Sequence, residues 1–244
     1  VLKERLAIES RPEARAAVRM ELVDLCEGVL DDPRAAFSFA VEAVKERPVT
    51  HAIERMLALA QSADEQRQAA LALGQWVGIL PEGSPVEDCA LPDAATEARM
   101  AAAVGRLWAG PLDRPDLAIR AFEKAQPFTD ENEGFLQTLL DCYRRVDDRK
   151  AALDTFDRLA LVSGSPQDQQ RVGQQKAAYA REVGLLDAAV ETLQAVLAQG
   201  SEDPEVLAEL EDVLGAAGRW PEMVEVLERR EAVTRDASDR AELL

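Results

Sequence analysis

A small residue recurs along this chain with an apolar residue beside it and another four places on. The small positions are Ala36, Ala70, Ala118, Ala152, Ala189 and, most loosely, Met223, at steps of 34, 48, 34, 37 and 34 residues. Phe37, Leu71, Ile119, Leu153, Val190 and Val224 follow them directly, and Ala40, Gly74, Phe122, Phe156, Leu193 and Leu227 come four later. Spacing of i, i+1 and i+4 places residues on one side of an α-helix. The small residue lets a second helix approach closely. The chain is therefore expected to be a series of similar helical units, each burying the same stripe.

Two segments show what joins the helices. Residues 25–37 and 107–119 share the pattern L-x-x-G-x-L-D-x-P-x-x-A followed by an apolar residue. Pro33 and Pro115 suit a first helical turn, where the missing N–H has no partner to lose. Gly28 and Gly110 are expected to end the helices before them, as are Gly184 and Gly218, each five residues ahead of its small position. The pattern predicts helix pairs over 13–30/33–47, 49–60/63–79, 94–109/115–126, 131–146/148–162, 168–183/186–198 and 204–217/220–233. The long step of 48 contains residues 81–92, with three prolines and one glycine. That composition marks an inserted loop.

Composition agrees with helices. Hydrophobic residues make up 47% of the 244, but aromatics only 5%, so most of the apolar count is Ala, Leu and Val. That mixture favours close-packed helices over sheets. No apolar run of about 18 residues occurs, which excludes a helical membrane span by sequence. The net charge is −18, and a chain so acidic is expected to avoid nucleic acid. Five lysines and a single asparagine point to a GC-rich bacterial source.

A helix–turn–helix period of 34 residues resembles the tetratricopeptide repeat family along nearly the whole chain. Residues 133–166 match best, with Leu136, Leu139 and Tyr143 on the first helix, Ala152 and Phe156 on the second, and Pro166 before the next. Elsewhere Ala180 and Leu214 stand where the aromatic of the first helix is expected, and Met223 replaces the alanine. The resemblance implies an all-α fold: an α-solenoid of about six repeats forming a right-handed superhelix, with first helices on the concave face and second helices on the convex one. It makes residues 1–244 a single array. The segment Val1-Leu2-Lys3-Glu4-Arg5 resembles Val226-Leu227-Glu228-Arg229-Arg230, so the chain is expected to begin within a second helix, end within a first, and belong to a longer protein.

The concave surface of such arrays is the usual peptide groove. The resemblance places Gln137, Asp141, Arg144 and Arg145 of the fourth pair, and Arg171, Gln174 and Arg181 of the fifth, toward it. Charge is uneven there. Residues 137–185 carry eight basic and seven acidic side chains, while 201–244 carry thirteen acids and five arginines. Two readings stand for the arginines. They hold a carboxylate or acidic peptide, or they pair with Asp141, Asp148 or Glu182 on a solvated face, where such pairs contribute about 0–1 kcal/mol. The glutamines 167, 169, 170, 174 and 175 either bond an extended peptide or simply coat a surface helix.

Chemistry leaves few marks. Cys26, Cys89 and Cys142 are far apart and odd in number, so no disulfide framework is expected, and Cys89, in the insert, is the candidate exposed thiol. The one histidine, His51, reads as a surface or capping residue at a helix start. Trp76 and Trp108 read as core, and Trp220 as core or partner anchor. Nucleotide-binding, zinc-protease and serine-hydrolase motifs do not occur. No catalytic residue, metal or cofactor is expected, and the chain reads as a cytoplasmic protein–protein interaction scaffold, binding a protein or peptide through the concave groove or the insert, rather than an enzyme. Two other roles remain open: a spacer or oligomerisation segment of an envelope or motility assembly, associating through the array ends, or a regulatory module of a larger enzyme.

Overall fold

The computed structural model describes residues 1–62, 64–84, 93–126, 132–198 and 203–242, and the side chains of all of these except 235–242. Every regular element among the described residues is helical. The chain divides into two compact units, Val1–Glu131 and Asn132–Leu244.

The first unit holds α1 (Leu2–Ile8), α2 (Pro12–Gly28), α3 (Pro33–Glu46), α4 (Thr50–Ser62), α5 (Gln66–Val77), α6 (Ala94–Ala109) and α7 (Pro115–Ala125). The second holds α8 (Glu133–Arg145), α9 (Arg149–Val162), α10 (Pro166–Glu182), α11 (Leu186–Ala198), α12 (Pro204–Ala216) and α13 (Trp220–Glu242). Within each unit every helix packs on the next in sequence. Three hairpins form in each: α2–α3, α4–α5 and α6–α7, then α8–α9, α10–α11 and α12–α13. These are tetratricopeptide-like helical repeats, and their bounds, the end of α13 apart, fall within a few residues of the pairs expected from sequence.

The recurring small residue is the pivot of each hairpin. Ala36, Ala70, Ala118, Ala152 and Ala189 are completely buried, and Phe122, Phe156 and Leu193, four residues on, join them in the core. Met223, the loosest match, is only partly buried. The residue directly after the small position behaves less uniformly. Phe37 and Val190 are buried, whereas Leu71, Ile119 and Leu153 are half-buried and Val224 is 53% exposed. A step of one residue rotates about 100° round the helix, so this position reaches the edge of the buried stripe.

Helix starts follow the capping signals. Asp32, Asp93, Asn132, Asp148 and Ser165 each accept a bond from the backbone N–H three residues later, at 3.0–3.1 Å. Pro33, Pro115, Pro166 and Pro204 occupy first turns. The turn between the two helices of each hairpin contains one residue in the left-handed region: Asp31, Asp64, Asp113, Asp147, Gly184 and Gly218, with φ between 50° and 80°. The first four hairpins thus place aspartate where the last two place glycine. Gly28 and Gly110 stand at the ends of α2 and α6 as expected, but the left-handed conformation falls three residues later, on the aspartate of L-D-x-P. Asp tolerates this region better than most residues, because its short side chain can bond locally.

The C-terminus also differs from expectation. α13 runs unbroken to Glu242 instead of ending near residue 233. After Pro221 the sequence contains neither glycine nor proline, so nothing in it interrupts the helix. Trp76 and Trp108 are core residues, Trp220 is 61% exposed, and His51 is an exposed residue of the first turn of α4. Most of the insert, residues 85–92 with Cys89, lies outside the described residues.

Candidate functional site

In the second unit the first helices of the hairpins, α8, α10 and α12, stand beside one another with two clefts between them. The first, of about 470 Å³, opens between α8 and α10. Its walls are Gln137, Asp141 and Arg144 on one side and Gln175, Ala178 and Glu182 on the other, over Phe156 and Leu159 of α9. The second, of about 410 Å³, lies between α10 and α12 and is lined by Ala178, Arg181, Glu182, Glu209 and Val213 over Leu193 of α11. Ala178 and Glu182 line both, so the clefts form one furrow across α10.

Two arginines mark corresponding points in it. Arg144 and Arg181 are 37 residues apart, the same step that separates Ala152 from Ala189. Each projects from its own first helix toward an acid on the next: Arg144 lies 3.8 Å from Glu182, and Arg181 lies 3.8 Å from Asp212. Both separations exceed hydrogen-bond length, so the guanidinium donors stay open to other acceptors. Arg144 also sits over the ring of Tyr179, 5.3 Å from its centroid, which holds its plane on the cleft wall. Tyr179 in turn packs at a tilt on Phe156, with 5.9 Å between centroids.

Carboxylates temper the positive charge. Asp141 stands in the first cleft and Glu209 in the second. Glu209 is held above the usual carboxylate range by partial desolvation and then by the nearby charges of Glu205 and Asp203. Gln137 donates to Glu133 at 2.8 Å on its own helix. Behind the wall, Cys142 is buried, and desolvation, with the negative charge of Asp141, pushes its thiol up to about 11.

Of the residues expected in the groove, Gln137, Asp141, Arg144 and Arg181 line the furrow. Arg145, Arg171 and Gln174 do not. Arg145 is exposed on α8, and Arg171 pairs with Asp168 of its own helix at 3.0 Å. Gln174 is half-buried, while its neighbour Gln175 faces the first cleft. A single stripe drawn through 171, 174, 178 and 181 treats α10 as having one groove face. It has two, 175/178/182 toward α8 and 177/178/181 toward α12, because the helix stands between neighbours. Glu182 enters the sequence reading only as a pairing partner of the arginines, and Glu209 does not enter it at all, for that reason. Mapping each first helix onto the next by the repeat step locates Arg144 and Arg181 together.

No gathering of three His, Cys, Asp or Glu side chains suited to a metal occurs among the described residues. No helix among them is long and apolar enough to cross a membrane.

Together, helical hairpins sharing a buried small residue, in both units, give the fold class: all-α, built of tetratricopeptide-like helix–turn–helix repeats. No family model matches the sequence, and no curated protein does. Among solved structures the chain is similar to YrrB, a TPR protein with an unusual peptide-binding site, at 16% identity and a TM-score of 0.47, covering 84% of this chain and 98% of that one. It is also similar to MamA, at 11% identity and a TM-score of 0.42, covering 75% and 97%. A tetratricopeptide repeat protein from Parabacteroides merdae is similar at 13% identity and a TM-score of 0.42, covering 95% and 83%.

Proposed function

We propose that this chain is a protein–protein interaction scaffold and that the furrow across α8, α10 and α12 receives an extended segment of a partner. The observation that carries this reading is the pair Arg144 and Arg181. They hold equivalent repeat positions at two joined clefts, each too far from its acid to be saturated by it. Two such donors at a repeat interval suit a segment with acceptors, carboxylates among them, spaced along it. Asp141, Glu182 and Glu209 make the furrow mixed in sign, so the segment is amphoteric or alternates acidic with neutral polar residues rather than being a run of acids. We further read the hairpins of both units as one repeat array, a reading supported by the 34-residue step from Ala118 to Ala152.

The test is a peptide-display selection on the folded chain, followed by titration of the enriched peptide against wild type and the Arg144→Glu/Arg181→Glu variant. Losing a charge-assisted bond at a desolvated position costs about 1.5–3 kcal/mol, or roughly ten- to a hundred-fold in affinity. The variant should lose at least that much while its circular-dichroism melt stays cooperative. Unchanged affinity counts against the furrow.

A further inference from the structure

The opposite side of the second unit carries another cleft, made by the second helices. It has a volume of about 530 Å³ and lies between α9 and α11, with α10 as its floor. Leu153, Leu161, Val172, Ala195 and Val196 supply its apolar surface. Leu161 is 83% exposed, a large side chain left in water at the edge of an apolar trough. Leu153, the residue after a pivot alanine, is half-buried: it packs against the core of the second unit and also borders this cleft. The floor is low because Gly173 lies against Val196, where a Cβ would come within 2.5 Å of Val196 Cγ2.

The rim is mostly acidic. Asp154 and Asp157 stand on α9 and Glu191 on α11, against the single cation Lys176. Lys176 is already bound to Asp157. Asp154 and Glu191 make no hydrogen bond or ion pair with any described residue, although Glu191 lies within the field of Arg219. An apolar trough between two helices, edged by open carboxylates, is complementary to a helix with an apolar face and cationic flanks. Along α9 the trough runs from Leu153 to Leu161, about 12 Å at 1.5 Å per residue, or two turns of a docked helix.

We infer that this second-helix face docks a basic amphipathic helix from a partner protein, with apolar residues at i, i+3 or i+4, and i+7 seated between Leu153 and Leu161 and Lys or Arg on both flanks toward Asp154 and Glu191. This is a second interaction surface, on the other side of the hairpins from the furrow.

The probe is a fluorescein-labelled, helix-forming peptide of about 14 residues, with Leu on that stripe and Lys on both flanks. Its controls are the same composition scrambled and the same stripe with Glu for Lys. Anisotropy should show saturable binding of the Lys–Leu peptide to the wild-type chain. Asp154→Lys/Glu191→Lys and, separately, Leu161→Lys should each weaken it at least tenfold. All three positions are exposed, and circular dichroism checks that the variants fold. The scrambled and Glu peptides should bind far more weakly. The inference is overturned by no binding up to about millimolar peptide, by equal binding of the scrambled peptide, or by full affinity in the Asp154/Glu191 and Leu161 variants. It is equally overturned if the affinity falls only with Arg144→Glu/Arg181→Glu, which would place the peptide in the furrow.

Discussion

Arg149, the first residue of α9, donates to the backbone carbonyl of Val183 at the end of α10, at 3.1 Å. The last carbonyls of a helix have no partner within it, and the helix dipole makes that end negative. A cation from one hairpin therefore completes the first helix of the next. The same guanidinium also forms a fork on Asp147, with Nε to Oδ1 at 2.9 Å and Nη2 to Oδ2 at 3.2 Å. Asp147 is the left-handed residue of its turn. One side chain thus ties the strained turn of one repeat to the helix end of its neighbour. Arg149→Gln is expected to lower the melting temperature of the chain, and Asp147→Asn to lower it less. Asn tolerates the left-handed turn but ends the fork, while Arg149 keeps its bond to Val183. Thermal melts of the two variants decide the order.

The turn slot itself can be tested at Asp31, which has the same conformation (φ 50°). Glycine adopts it freely, whereas a β-branched residue meets its own backbone. Asp31→Val should cost about 1–2 kcal/mol in urea unfolding. Asp31→Gly should be neutral or slightly stabilising, since relief of strain is offset by the flexibility glycine adds to the unfolded chain. A Val variant as stable as wild type would mean that the turn is not strained.

These turns show how much of the fold the sequence made legible. The period, the pivot alanines and the capping residues are local signals, and they located the hairpins to within a few residues. Gly28 and Gly110 do stand at the ends of α2 and α6, but the left-handed position falls three residues later, on Asp31 and Asp113, which the glycine signal does not reveal. The furrow was half legible. Arg144 and Arg181 can be found from the repeat step, and Glu182 can be named as a partner of the arginines, but Glu209 joins the furrow only when two neighbouring first helices are placed side by side. The second-helix trough was not legible at all, because Leu153 fits the buried stripe on paper and does pack on the core, and only the folded chain shows that it also borders a cleft.

Close packing at the first helices makes a third prediction. Gly105 of α6 faces Phe122 of α7, and a Cβ there would lie 2.6 Å from Phe122 Cε1. Phe122 is 1% exposed and cannot move freely. Gly105→Ala should destabilise the chain by about 1–3 kcal/mol, as overpacking does in a filled core. Gly28→Ala, at the last residue of α2 with nothing near its Cβ position, should instead stabilise by roughly 0.5–1 kcal/mol. Opposite signs from the same substitution, measured by denaturant unfolding, separate packing from helix propensity.

The thiols offer a chemical reading of the core. Cys142 is buried, with its ionisation pushed up to about 11. At pH 8 almost none of it is thiolate, the species that reacts with alkylating agents. Iodoacetamide should leave Cys142 unmodified in the folded chain and label it fully in denaturant, as peptide mass mapping would show. Rapid labelling under native conditions would contradict the burial.

Acid stability provides the last test. Arg114 holds Asp116, Arg149 holds Asp147 and Arg219 holds Glu222 in side-chain forks, and each carboxyl lies below its ordinary range because its arginine bonds to the ionised form. A carboxyl with a lowered value in the folded state binds its proton less readily there than in the unfolded chain. Its contribution is therefore complete above the usual carboxylate range, about pH 4, and is lost as the pH falls through the lowered value. The net charge of −18 acts in the opposite direction, since protonation relieves repulsion. The forks must accordingly be read as a difference between variants. Melting temperatures of wild type and of Arg114→Gln/Arg219→Gln should differ most at neutral pH and converge as the solution is acidified through about pH 3. A gap that stays constant across that range would mean the arginines act through packing alone.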